Sequence, residues 1–79
     1  MSENPRFSDC MAAVIRKHRT ARGLSQNQLS KISKVSQTYI SALERGLYEP
    51  TVLILLQIAK ALKVELWKLI REAERQSQG

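Results

Sequence analysis

Apolar residues recur along this chain at three- and four-residue intervals, and no stretch alternates at two. That period predicts helices throughout. Met11, Val14 and Ile15, with His18 one turn further on, mark a first helix running to about Ala21. Ser8 is its expected N-cap, and Asp9 stands where a carboxylate meets the positive end of the helix dipole. Gly23 supplies the left-handed stop. Ser25-x-x-Gln28 is a capping-box pattern, in which hydroxyl and amide satisfy backbone donors reciprocally. It opens a short second helix, Gln26 to about Ser33, with Leu29 and Ile32 as its apolar positions. Lys34 and Val35 make a corner, and Ser36 caps a third helix. There Ile40 and Leu43 point inward while Gln37, Thr38, Ser41, Ala42 and Arg45 share the other side. Gly46 ends it.

"LYEP" reads as a turn, with Pro50 setting up Thr51 as the next cap. The fourth helix carries Val52, Leu55, Leu56, Ala59 and Leu62 as its stripe. After a break near Lys63-Val64, a fifth repeats it with Leu66, Leu69, Ile70 and Ala73. The expected organisation is a compact all-α five-helix bundle over residues 8–75, between a flexible arm (1–7) and a frayed tail (76–79).

At 79 residues and 43% hydrophobic composition, the chain has room for one small globular domain. Thirteen Lys and Arg stand against seven Asp and Glu, a net charge of +6. The imbalance is uneven: residues 1–46 hold eight basic and three acidic groups, residues 47–79 five and four. A basic half joined to a nearly neutral apolar half points to a polyanion-binding face on a packing scaffold. Cys10 and His18 are each the only residue of their type, so neither a disulfide nor a zinc site can be built within one chain. The lone thiol fits a reducing, cytoplasmic setting, as a small apolar residue of the first helix. The polar start, "MSENPRFSD", argues against a signal peptide. The most apolar run, "PTVLILLQIAKALKV", is broken by Gln57, Lys60 and Lys63 and falls short of the roughly 20 residues a membrane span needs. No membrane partner and no cofactor is expected.

Two short helices joined by a tight corner, the second polar on one face, form a helix-turn-helix pattern. In that geometry the second helix enters the DNA major groove N-terminus first. A solvated face would be rich in Glu and Lys. This one offers Gln, Thr, Ser, Ala and Arg, groups that read base edges: Gln can bond adenine N6 and N7 together, and Ala can touch a thymine methyl. Ser36 both caps the helix and can donate to a phosphate at its N-terminus. Gln26 begins the preceding helix, where its amide can hold a phosphate and buttress Gln37.

The segment "RGLSQNQLSKISKVSQTYISALERGLYEPTVLILLQIAKALKV" resembles the Xre/Cro-type helix-turn-helix family of phage repressors and bacterial regulators. The similarity covers roughly residues 11–70 and is strongest in "GLSQ", "VSQTYISALERG", "EPT" and "LLQIAKAL". It implies a lambda-repressor-like DNA-binding domain. In the family, the residues matching Gln26, Gln37, Thr38 and Ala42 lie at the DNA, and those matching Ser36 and Arg45 contact phosphates. The resemblance also implies a buried ion pair between Arg19 and Glu44. Lys34 and Lys63 replace the glycines usual at the corner and at the end of the fourth helix. If those angles are left-handed, both lysines are strained, and Lys34 is placed to reach a phosphate. Tyr39 is left two options: a phosphate or sugar contact, or a place over the first helix.

Leu53, Ile54 and Trp67 occupy positions usually polar in the family, with Tyr48 near in sequence and Ile70 on the fifth helix. A core this small cannot take them all, which predicts a second apolar surface. Family members commonly bind palindromic sites as dimers, and a homodimer contact through the C-terminal helix is the leading expectation. The competing one is an antitoxin or co-regulator whose apolar surface binds another protein. Stand-alone domains of this size resemble restriction–modification controllers and small phage-type repressors. With no nucleophile–base pair, metal cluster or phosphate-cradling glycine loop, the sequence does not read as an enzyme. No carboxylate near His18 in sequence marks it as a paired residue.

Overall fold

In a computed structural model, residues 6–77 are described, and they form five helices: α1 Phe7–Ala21, α2 Gln26–Ser33, α3 Gln37–Glu44, α4 Val52–Leu62 and α5 Leu66–Ser77. Among the described residues there is no strand. The long α1 packs on α5, α2 on α4, and α3 wedges against both α1 and α2. The shared core is built from Met11, Val14, Ile15, Leu29, Ile40, Leu43, Ile58, Leu62 and Leu69, with Cys10 buried among them as a thiol.

Three caps follow the sequence. Ser25 Oγ accepts from the Gln28 amide at 3.0 Å while Gln28 Oε1 accepts from the Ser25 amide at 2.8 Å, closing the capping box. Ser36 Oγ accepts from the Tyr39 amide at 3.1 Å, and Thr51 Oγ1 from Ile54 at 3.2 Å. Each such cap contributes roughly 1 kcal/mol. In helices of eight residues, which do not hold alone in water, that contribution fixes where the chain turns.

The first helix departs from expectation. It starts at Phe7, its N-cap is Arg6 with no side-chain capping bond, and Ser8 is buried inside the helix. Asp9 keeps its first-turn place and takes both Arg6 Nε and Nη2 at 3.1 Å. That hydrogen bond holds the Asp9 carboxyl below its ordinary value. Residues 1–5 of the expected arm lie outside the described residues, and so do 78 and 79 of the expected tail; Gln76 and Ser77 close α5.

Two apolar stripes are rotated from their predicted faces. In α2, Leu29 is buried but Ile32 is 54% exposed, and Ser33 turns inward instead. The helix uses the i, i+4 spacing of Leu29 and Ser33, and Ser33 finds partners there: its Oγ accepts from the Val35 amide at 3.2 Å and its carbonyl from Gln57 Nε2 of α4 at 3.3 Å. In α4, Val52 and Leu56 face out, while Leu55, Ile58, Ala59, Ala61 and Leu62 face the core. In α5, Leu69 and Ala73 are buried, with Leu66 and Ile70 half-buried against them.

Lys34 and Lys63 both adopt left-handed backbone, at φ 67° and 58°. Lys34 caps α2 and Lys63 caps α4, each doing with a side chain what glycine does without steric cost. Gly46 also has positive φ (74°), and a Cβ there would run into the Asp9 carboxylate, so this glycine lets the end of α3 close on the start of α1.

Candidate nucleic-acid interface

The α2–α3 corner presents one coherent polar surface. Gln26, Gln37, Thr38, Ser41 and Arg45 line a single hollow of about 260 Å³, drawn from the first residue of α2 and the outer face and C-cap of α3. Gln37, Thr38 and Arg45 are exposed, and Ser41 is half-exposed. The hollow is lined by hydroxyls, amides and one guanidinium, with no carboxylate among them. Arg45 lies back along the helix, its Nε donating to the Ser41 carbonyl at 3.4 Å. A second hollow at the corner is lined by Ser30, Lys31, Lys34, Val35 and Ser36.

Beneath this surface lies the ion pair that ties α3 to α1. Arg19 Nε and Nη2 donate to Glu44 Oε2 and Oε1 at 2.7 and 2.9 Å, and Arg19 Nη1 donates to the Leu24 carbonyl at 2.8 Å. Glu44 is 4% exposed. Hydrogen bonding to Glu44 raises the Arg19 pKa further, against burial, so the guanidinium keeps its charge inside the fold. Arg16 Nη2 adds a bond to the Glu44 backbone carbonyl at 3.2 Å, satisfying an acceptor at the end of α3.

One site expectation needs correction. Ala42 is 5% exposed, so its methyl faces the protein and is not offered to a thymine. Its place on a helix only two turns long puts it over the packing seam, one residue from inward-facing Leu43. Gln26 is half-buried and commits one amide hydrogen inward, Nε2 donating to Glu44 Oε1 at 3.1 Å, while its side chain still lines the polar hollow. Tyr39 packs beside Tyr48. It is half-buried against the core, with its ring centroid 5.2 Å from that of Tyr48 at a 36° tilt.

Of the apolar residues expected to form a second surface, Tyr48 stands apart from the rest, beside Tyr39. On α4 and α5, Leu53 is 66% and Trp67 54% exposed, with Val52 and Leu56 also outside and Ile54 and Ile70 half-buried. A shallow hollow lined by Leu56, Ala59, Val64 and Leu66, and edged by Lys60, Lys63 and Glu65, marks where these two helices meet.

His18 is paired after all. Its Nε2 lies 2.9 Å from Glu72 Oε2, and Lys17 Nζ lies 3.4 Å from Glu72 Oε1, so α1 and α5 share a polar strap. The partners are 54 residues apart in sequence, too far for any local pattern to reveal them. Lys31 joins Lys34 in the lining of the corner hollow, a place that no apolar period along α2 marks.

A family profile described as helix-turn-helix matches residues 15–66, from the middle of α1 to the first residue of α5. This chain belongs to the helix-turn-helix family. Control protein C.SmaI of Serratia marcescens is 36% identical over 74 residues, covering 92% of this chain and 88% of that one. The HTH-type transcriptional regulator Rv0474 of Mycobacterium tuberculosis is 46% identical over 52 residues, which are 66% of this chain but 37% of that longer protein. Among solved structures, the restriction–modification controller protein C.Esp1396I, in its tetramer with a natural 35-base-pair operator, superposes with a TM-score of 0.84 at 27% identity. That match covers 95% of this chain and 99% of the controller. The clp gene regulator ClgR of Corynebacterium glutamicum gives 0.88 at 28% identity, over 95% and 80% of the two chains. The helix-turn-helix family, of the Xre type, is one of DNA-binding transcriptional regulators and not of enzymes. The corner between α2 and α3 is the helix-turn-helix of this chain, and α3 is its second helix.

Proposed function

We propose that this helix-turn-helix protein is a sequence-specific regulator that binds a palindromic operator as a homodimer, with α3 and its cap Arg45 in the major groove. The observation that carries the reading is the single polar hollow shared by Gln26, Gln37, Thr38, Ser41 and Arg45. In this reading Gln37, Thr38 and Ser41 meet base edges, while Ser36, Lys34 and Arg45 hold phosphates on either side. Base-edge contacts specify and phosphate contacts set register, so the two sets have different signatures. Ala42 and Tyr39 serve packing. The net charge of +6, concentrated in the half that holds α1 to α3, favours approach to a polyanion.

Self-association is supported by the exposed apolar residues of α4 and α5 and by the tetrameric, operator-bound state of the similar controller C.Esp1396I. A two-fold dimer would set its recognition helices about one DNA turn apart, roughly 34 Å. The cytoplasm, where the operator would be met, is the proposed place of action.

Selection from a random duplex library, followed by titration of the recovered site, tests the reading. The expected result is a two-fold symmetric consensus. Gln37→Ala should then cost roughly 1–3 kcal/mol at one or two base pairs per half-site and little elsewhere. Arg45→Ala should weaken every duplex alike. Equal losses on all sequences from both substitutions would overturn the assignment of Gln37 to base readout.

A further inference from the structure

The outer face of α5 carries a row of cations that no carboxylate answers. Lys68, Arg71 and Arg75 are exposed and follow one another at three- and four-residue intervals, which puts them on one side of the helix. Together with Trp67 they line a hollow of about 260 Å³. The one carboxylate in that lining, Glu72, is already engaged: Lys17 Nζ and His18 Nε2 of α1 take its two oxygens at 3.4 and 2.9 Å. Glu74, the other carboxylate of the helix, does not line the hollow. Among the described residues, none of the three cations makes a salt bridge. Lys68 Nζ lies 5.6 Å from the centroid of the Trp67 ring, so an ammonium stands over the indole. The row is also set apart from the polar hollow at the helix corner. α5 packs on α1 and α4, whereas α3 packs on α1 and α2.

We propose that this face of α5 docks an extended acidic segment of a second protein, with carboxylates at alternate positions and an apolar side chain beside them. Spacing sets the register. Trp67, Arg71 and Arg75 follow at four-residue intervals, about 6 Å along the helix axis for each step. Alternate side chains of an extended chain stand roughly 6.5–7 Å apart on one side, close to the same interval. Two carboxylates of such a chain meet Arg71 and Arg75, whose guanidinium forks bind them through paired hydrogen bonds. An apolar side chain two residues along then lies against the edge of Trp67 and the aliphatic stem of Lys68, whose ammonium adds a third charge. Arg71 and Arg75 lie about one and two turns beyond Trp67, so a dimer that covers the indole leaves both charges open. Other occupants fit this face less well. A second copy joined here by a two-fold axis would set cation row against cation row. A nucleic-acid strand would find partners for its phosphates, but Lys68 stands over the indole face on which a base would stack.

The test is fluorescence anisotropy with a labelled synthetic peptide in which one leucine and two glutamates alternate with serine. Its control carries glutamine in place of each glutamate. Both are titrated with the full chain in about 0.1 M salt, where exposed charges act over roughly 10 Å. The acidic peptide should bind about tenfold more tightly than the control, the scale of one charge-assisted contact. Trp67 is the only tryptophan of the chain, so its emission should change with the acidic peptide and not with the control. The double variant Arg71→Gln, Arg75→Gln should abolish the preference for the acidic peptide. Both positions are exposed, so its circular dichroism spectrum should match wild type. Its affinity for duplex DNA should stay within about threefold of wild type. Equal binding of the two peptides, or a preference that survives in the double variant, would overturn the docking role. A double variant that loses duplex DNA as strongly as the acidic peptide would overturn it too, and make the row a phosphate contact. A single-stranded oligonucleotide that displaces the peptide from wild type, and binds tighter than it does, would assign the face to nucleic acid instead.

Discussion

Arg19 and Glu44 are joined by two parallel hydrogen bonds, of 2.7 and 2.9 Å, in a setting where the carboxylate is almost wholly shielded from water. The fork of a guanidinium matches a carboxylate in this way and an ammonium does not. Removing one partner strands the other charge in the interior. Arg19→Met should cost roughly 3–5 kcal/mol in urea unfolding. Arg19→Lys should recover only part of that, because a lysine supplies a charge without the second bond or the bond to the Leu24 carbonyl. A lysine variant as stable as wild type would mean that charge alone holds the pair.

The two left-handed lysines give a prediction in the opposite direction. A side chain with a Cβ at φ near +60° is disfavoured by about 1–2 kcal/mol, and glycine's larger unfolded-state entropy offsets part of the gain from relieving it. Lys34→Gly and Lys63→Gly should each stabilise the fold by roughly 0.5–1 kcal/mol in thermal unfolding. Their effects on DNA should separate. Lys34 lines the hollow beside Ser36 at the helix corner, whereas Lys63 sits at the end of α4. Binding should weaken and its salt dependence should flatten with Lys34→Gly, and both should hold with Lys63→Gly.

The strap between α1 and α5 makes stability depend on pH. Burial pushes the Glu72 carboxyl up, but hydrogen bonding and charge from His18, joined by Lys17, outweigh it and leave Glu72 below its ordinary value of 4.5. A carboxyl whose folded pKa is depressed stabilises the fold above its unfolded pKa. That contribution is lost as pH falls through the folded value. Wild type should thus be more stable than Glu72→Gln at pH 6, and the difference should shrink as pH drops below about 4.5. Urea titrations of both proteins between pH 3 and pH 6 would show it. A constant difference across that range would place the role of Glu72 in packing instead.

The fold was legible because its signals are local. Capping box, hydroxyl caps and glycine stops each lie within four residues, and they located the starts of α2, α3 and α4. Ser8 misled because a good capping residue says nothing of where burial begins, and Arg6 with Asp9 could close the end without it. Ile32 and Leu56 misled for a related reason. In short helices several rotations satisfy a three- or four-residue period, and only the neighbours decide which face is covered. Of the candidate interface, Gln37, Thr38, Ser41 and Arg45 stand together on one surface as expected. The burial of Ala42, the Gln26–Glu44 bond and the pairing of His18 with Glu72 depend on elements 18 to 54 residues apart, or on how α3 is seated, and no single-chain pattern encodes them.

The apolar residues on α4 and α5 lead to the last prediction. Trp67 and Leu53 expose more than half their surface, so replacing either with a charge should leave the core intact. If the surface joins two copies, wild type should sediment as a concentration-dependent dimer and Trp67→Asp as a monomer with an unchanged circular dichroism spectrum. Aromatic residues concentrate binding energy at interface centres, so Trp67→Asp should weaken the dimer more than Val52→Asp at the exposed start of α4. The monomeric variant should still bind a half-site and lose the added affinity of the second, since joined heads act at a high effective concentration. A wild type that stays monomeric at every concentration would separate this surface from self-association. The apolar face would then belong to a contact with a different protein, and operator binding would require one head alone.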